Sequence, residues 1–254
     1  PEPTQSSDGD GDDHGDQDDD PANDPENGEE ATVTDRVIQW KAPFGMDDQA
    51  VIYETESEMD EVMYNDGADV LFIEESSNGS ETLYAVYLSE PDSSYTIYDY
   101  DRDEFYEDPG NIMRTYSEMG ETVVRMSPDR ETVYLEGTEY FENFEENAPR
   151  PFIDEVNIRT GDKTRIFQSA ADIYENVIAV LDEEMNTLML QRESPEMVPN
   201  SWRYNVETED LEQMTNNSDP NSQVTQAQRD RFKVRRADGF EFWMEVIMPR
   251  DWDG

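Results

Sequence analysis

The sequence predicts an all-β protein of antiparallel four-stranded blades, part of a β-propeller, behind an acidic disordered N-terminal segment. Three observations lead there. Thirteen short β-prone runs follow one another at roughly ten-residue spacing, the pattern of all-β sandwiches and propellers. The joins between runs carry turn chemistry. No stretch sustains the 3.6-residue apolar stripe of an amphipathic helix.

The runs are 50–54, 69–74, 82–88, 95–100, 122–126, 132–136, 153–159, 163–168, 177–182, 187–192, 201–206, 231–235 and 240–248. Many alternate, as in Thr82-Leu83-Tyr84-Ala85-Val86-Tyr87-Leu88, where successive side chains point to opposite faces. The turns read as Ser127-Pro128-Asp129, Thr160-Gly161-Asp162, Asp182-Glu183-Glu184 and Asp238-Gly239. Residues 169–176 read as one short helical turn. Sandwich and propeller both fit this texture. Two units of similar plan, 121–168 and 173–215, favour the propeller, because 40–50 residues per four-stranded unit is about blade size.

Charge divides the chain. The 254 residues hold 64 Asp and Glu, 18 Lys and Arg, one His and no Cys, for a net charge of −46. Residues 1–30 contain 13 of the acids and no Lys, Arg or aromatic. Such a segment lacks the apolar surface needed to offset chain entropy and is expected to be disordered. Asp8, Asp10 and Asp12 match the first ligand positions of an EF-hand loop. The match then fails, with Asp13 where Gly is required and Asp19 where Glu is required. The other 51 acids and all 18 bases lie in the aromatic-rich remainder, a balance of −33. Only Lys41, Lys163 and Lys233 are lysines. Self-repulsion of that size disfavours a compact state in dilute buffer and is screened in molar salt, so a halophilic source is expected.

Several function classes are excluded by composition. Without Cys there is no disulfide framework, zinc ribbon or thiol nucleophile. With His14 as the single histidine, no multi-histidine metal site exists, and no cofactor is called for. The charge repels nucleic-acid phosphates and anionic membranes, so neither nucleic acid nor membrane insertion is expected. With 64 carboxylates, a pair of them carries no information about glycosidase chemistry. Tyr84, Tyr87, Tyr95, Tyr98 and Tyr100 fit packing between sheets better than a sugar platform. Asn78-Gly79-Ser80 and Asn216-Asn217-Ser218 are glycosylation sequons that matter only on export. The chain begins at Pro1 without a recognisable signal peptide, which reads as a processed product or an internal piece. Compartment and oligomeric state stay open, the acidic run leaning toward export or the cell envelope over the cytoplasm.

Residues 121–254 carry a family likeness. The stretches are Ser127-Pro128-Asp129, Ala148-Pro149-Arg150-Pro151-Phe152-Ile153-Asp154, Ile158-Arg159-Thr160-Gly161 and Ile166-Phe167-Gln168-Ser169. Arg192-Glu193-Ser194-Pro195, Val198-Pro199-Asn200 and Phe232-Lys233-Val234-Arg235-Arg236-Ala237-Asp238-Gly239 follow, leading to Met248-Pro249. Upstream, Trp40-Lys41-Ala42-Pro43-Phe44 and Tyr106-Glu107-Asp108-Pro109-Gly110 extend the likeness to about residue 35. In this order the motifs resemble the prolyl oligopeptidase family of serine peptidases, most closely its glutamyl endopeptidase-like branch. The resemblance implies a propeller followed by an α/β-hydrolase domain. Behind the acidic segment (1–34) set apart by composition, it implies propeller blades (35–230) and a junction (231–254). No G-x-S-x-G nucleophile elbow occurs in the sequence, and His14 lies in the acidic segment, so no Ser-His-Asp triad can be assembled from these residues. The expected role is gating of peptide substrates on their way to a hydrolase domain outside these residues. A stand-alone, exported binding module is the other reading. Candidate substrate-binding residues are Arg192, Glu193, Asn200 and Arg150, where an arginine could grip a substrate carboxylate bidentately. The competing reading makes the same residues interdomain ion pairs or loop anchors.

Overall fold

The computed structural model describes residues 33–253. Residues 1–32 of the acidic segment, with the calcium reading and His14, lie outside the described residues. Strands dominate, and the α-helix is a single turn, α1 (Ser222–Thr225). The chain opens with hairpin β1 (Asp35–Trp40)–β2 (Gln49–Thr55). Then β3 (Glu58–Tyr64), β4 (Val70–Ser77), β5 (Ser80–Tyr87) and β6 (Ser94–Asp101) pair antiparallel in chain order as blade I.

Blade II starts at β7 (Asn111–Ile112). The chain then leaves the sheet as hairpin β8 (Arg114–Tyr116)–β9 (Thr122–Val124) and returns. It is completed by β10 (Thr132–Glu139), β11 (Arg150–Asn157) and β12 (Lys163–Gln168). Blade III is β13 (Tyr174–Val180), β14 (Thr187–Ser194), β15 (Met197–Asn205) and β16 (Leu211–Gln213). A hairpin, β17 (Gln228–Arg235)–β18 (Glu241–Met248), closes the series, turning at Gly239 with φ +92°.

The blades stack face to face, which explains their sequence texture. A sheet covered on both faces needs near-continuous apolar strands. Val70-Leu71-Phe72-Ile73 on β4 is such a run. Ile73 packs with Ile52 of β2 and Val86, whereas Val70 and Phe72 pack on the opposite side with Val133 and Leu135 of blade II. The other face of blade II places Tyr134, Ile153 and Phe167 against Leu188 and Leu190 of blade III. Three successive interfaces of this kind are the arrangement of propeller blades.

Turns repeat with the blades. Asn157 Oδ1 accepts the Thr160 N–H at 3.0 Å, and the Thr160 hydroxyl donates to Asp162 Oδ2 at 2.8 Å, closing β11 onto β12. Asn205, Thr208 and Asp210 repeat this between β15 and β16, with distances of 2.8 and 2.8 Å. The Asn-x-x-Thr-x-Asp turns begin at 157 and 205, a spacing of one blade. Between β4 and β5, Asn78 (φ 50°) and Gly79 (φ 95°) form the two-residue hairpin turn that suits strand twist.

Two expectations are corrected. Residues 169–176 form no helical turn: 171–173 bend, and β13 already begins at Tyr174. The run 122–126 is not simply the first strand of its blade. It pairs with β8, and the edge of β10 is shared between β7 and a single bridge from Met126 to Val133. The physical reason is an insertion. Met113 donates its N–H to Tyr134 O at 2.8 Å, the chain departs for the hairpin, and Arg125 N–H returns to Met113 O at 2.9 Å. The first strand of blade II is thus split by residues 114–124. Strands β1, β3, β7, β8 and β16 were not among the thirteen runs. On β3, three acids lie within the first four residues and a bulge breaks the register between Met59 and Glu61, and β16 is exposed along its length.

Candidate functional site

The four sequence-predicted residues gather at one end of blades II and III. Glu175, Arg192 and Asn200 are cross-strand partners on β13, β14 and β15. Arg192 Nε lies 2.6 Å from Glu175 Oε1, with the two side chains 12% and 7% exposed. Its guanidinium also stacks 4.9 Å from the centre of the Trp202 ring. The second Glu175 oxygen accepts the Ala170 N–H at 2.7 Å. Arg150 Nε donates to the Ser169 carbonyl at 2.6 Å, and the Ser169 hydroxyl accepts the Glu175 N–H at 3.0 Å. Asn200 is buried, and its Oδ1 accepts the Asn217 N–H (2.7 Å) and the Thr215 hydroxyl (3.1 Å). Arg192, Arg150 and Asn200 are therefore engaged by the blades themselves. Glu193, opposite Tyr174 in register, differs: it lines a cavity of about 320 Å³ walled by Ala148, Pro149, Ala170 and Pro195.

A larger cavity, about 490 Å³, opens elsewhere, and sequence reasoning missed it. Turns from three blades converge on it, at Asn65-Asp66-Gly67, Ser127-Pro128 and Leu181-Asp182, together with the inserted β8–β9 hairpin. Each turn is internally braced. Asn65 is 3% exposed, and its Oδ1 accepts the Asp69 and Val70 N–H groups at 3.1 and 3.0 Å. The Ser127 hydroxyl donates to Asp129 Oδ1 at 2.6 Å, which holds the Asp129 carboxyl below its ordinary range. Asp182 Oδ1 accepts the Asn186 N–H at 2.9 Å. Arg130 reaches Asp69 at 2.9 Å. The side chain of the remaining cation, Arg125, makes one hydrogen bond, from Nη2 to Thr115 Oγ1 at 3.1 Å. Its Nε is buried without an acceptor. The sequence signal was present: Arg125 interrupts an otherwise apolar Val123-Val124-Arg125-Met126 run.

Among the described residues no His, Asp and Glu groups cluster as a metal site, and no helix is long and apolar enough to cross a membrane.

Comparison with known proteins adds one sequence likeness. No family model matches the chain. Over 169 residues it is 25% identical to the probable glutamyl endopeptidase, chloroplastic, of Arabidopsis thaliana. The aligned stretch takes in 62% of this chain and only 17% of the plant protein. Among solved structures, oligopeptidase B from Trypanosoma brucei aligns with a TM-score of 0.42 and 8% identity, over 88% of this chain and 37% of that one. TolB from Acinetobacter baumannii aligns with a TM-score of 0.37 and 11% identity, over 84% and 49%. At those scores the blade description rests on the sheet order and stacking given above.

Proposed function

We propose that these residues are the propeller part of a serine peptidase of the prolyl oligopeptidase kind, gating peptides toward an α/β-hydrolase domain outside them. The observation that carries this reading is the 25% identity over 169 residues with a probable glutamyl endopeptidase, falling on a body of stacked four-stranded blades. The chemistry would belong to the hydrolase domain, with a Ser nucleophile, a His base and an Asp orienter. The contribution of the blades would be steric. A rigid stack of sheets admits extended peptides and turns away folded proteins. Within it, Arg150, Arg192 and Asn200 would shape the rim between blades II and III, and Glu193 would face the passing peptide.

The test uses a fluorophosphonate, which labels an activated serine covalently. The purified 254-residue chain is expected neither to label nor to hydrolyse peptide esters. The whole protein encoded by the gene is expected to do both. Labelling of the isolated chain, or a whole protein that neither labels nor cleaves, overturns the reading, the second outcome in favour of a binding module.

A further inference from the structure

We infer that the stack of blades opens at one seam, between blades II and III, while blades I and II move as a single body. From the proposed function this inference takes only what would pass, a peptide. Blades I and II are tied by three arginines. Arg159, in the β11–β12 turn, donates to both oxygens of Glu90 in the β5–β6 loop at 3.2 and 3.1 Å. It also donates to the Tyr95 hydroxyl at 2.6 Å and lies over the rings of Tyr87 and Tyr95 at 4.7 and 5.0 Å. Arg130 grips both oxygens of Asp69 at 3.2 and 2.9 Å. Arg114, on the inserted hairpin, reaches Glu61 of β3. A guanidinium fork bonded to a carboxylate fixes orientation as well as distance. Between blades II and III, by contrast, no ion pair or side-chain hydrogen bond occurs among the described residues, and the Arg150 bond to the Ser169 carbonyl reaches only the connecting segment.

The packing follows the same division. Twelve buried apolar residues join blades I and II, among them Met63 and Phe72 on one side and Val133 and Leu135 on the other. Seven join blades II and III, among them Met113 and Phe167 facing Met185 and Leu190. Cavities of about 320 and 200 Å³ lie in this second seam, the first between Pro149 and Pro195, the second between Phe152 and Val177. The 490 Å³ cavity touches all three blades and so favours neither seam. Native interiors hold few voids larger than a water molecule, so the second seam is the less completely filled. Apolar contact has no preferred direction. Two sheets joined by it alone, with free space beside them, can shear where an arginine clamp would hold them in register. The segment 169–173 between β12 and β13 bends at 171–173 and is placed to serve as the hinge, since a hinge is a few loop residues that absorb the dihedral change.

The experiment oxidises the unmodified chain with hydrogen peroxide, in the salt that gives its highest Tm, and follows each methionine sulfoxide by mass spectrometry. Met63 lies in the first seam and Met113 and Met185 in the second, and all three are buried, at 6%, 5% and 2% exposed. Static burial alone makes all three equally slow, whereas oxidation through local opening tracks the population of the open form. Met113 and Met185 are expected to oxidise together, about tenfold or more faster than Met63. Met119, 87% exposed, sets the upper limit. Comparable rates at the three buried sites, or a Met63 faster than the other two, overturns the inference. A fast rate at only one of Met113 and Met185 overturns it as well, because that marks local fraying rather than an open seam. The double variant Arg130→Gln, Arg159→Gln is expected to raise the Met63 rate and leave Met113 and Met185 unchanged. An unaltered Met63 rate in the folded variant overturns the inference that the arginines hold blades I and II together. Should the variant not fold, the comparison in the unmodified chain decides alone. Peroxide oxidation involves no catalysis by the chain, so its outcome and that of fluorophosphonate labelling fail separately.

Discussion

Glu175 and Arg192 show how a charged residue type acquires opposite meanings in sequence and in space. In the sequence, Arg192-Glu193-Ser194-Pro195 looks like a substrate grip. In the fold, Arg192 is one member of a cross-strand row with Glu175 and Asn200, stacked on Trp202. Removing one partner of a buried pair leaves an uncompensated charge, which costs about 3–5 kcal/mol. Arg192→Ala is therefore expected to lower stability by about that amount in a urea melt. The double variant Glu175→Gln, Arg192→Met is expected to recover most of it, since both charges leave together. A single variant as stable as the parent would remove the structural role and return Arg192 to the substrate. Asp154 makes the same point: it is 1% exposed and held by Arg165 Nε at 2.5 Å directly across β11 and β12. Cross-strand position, invisible without register, decides which acids of an acid-rich chain are buried and which are merely solvated.

At the scale of elements, the decisive contacts are close approaches of backbone. Gly110 enters blade II with φ +81°, and a Cβ there would lie 2.5 Å from the Glu136 carbonyl of β10. Both the left-handed conformation and the missing side chain are required. Gly110→Ala is expected to destabilise the chain by more than about 1 kcal/mol in a denaturant melt, because the obstructing atom is backbone and cannot swing away. Gly79→Ala, also at positive φ but with nothing within 4 Å, meets the strain alone and is expected to cost less than Gly110→Ala in the same melt. The inserted β8–β9 hairpin belongs to this scale as well. The run 122–126 announced a strand correctly, yet a strand's partner is chosen by register and topology, and the run contains no mark of its pairing with β8.

For the whole molecule the governing quantity is net charge. Even with each of the 18 bases paired, acids remain in large excess among the 64. Exposed ion pairs contribute about 0–1 kcal/mol each and weaken with salt. The unpaired excess repels itself, and that repulsion is also screened by salt. The excess is the larger effect, so Tm is expected to rise between about 0.1 M and about 1 M salt, as the Debye length falls from about 10 Å to about 3 Å. A Tm that is equal or lower in molar salt would show that local pairs outweigh the field and would remove the ground for a halophilic source.

What the amino-acid order alone determined is the class of the fold and its repeat. Alternation, turn residues and the absence of a helical stripe are local signals, set by side chains a few positions apart, and they sufficed for thirteen of the strands and for the blade-sized repeat of 121–168 and 173–215. What only the tertiary structure decided is pairing and occupancy: that 114–124 splits a strand, that Arg192 is consumed by Glu175, and that Arg125 is left beside a cavity. Those facts depend on which residues meet across strands and blades far apart in sequence. In a chain this rich in carboxylates, composition cannot say which cations go without one.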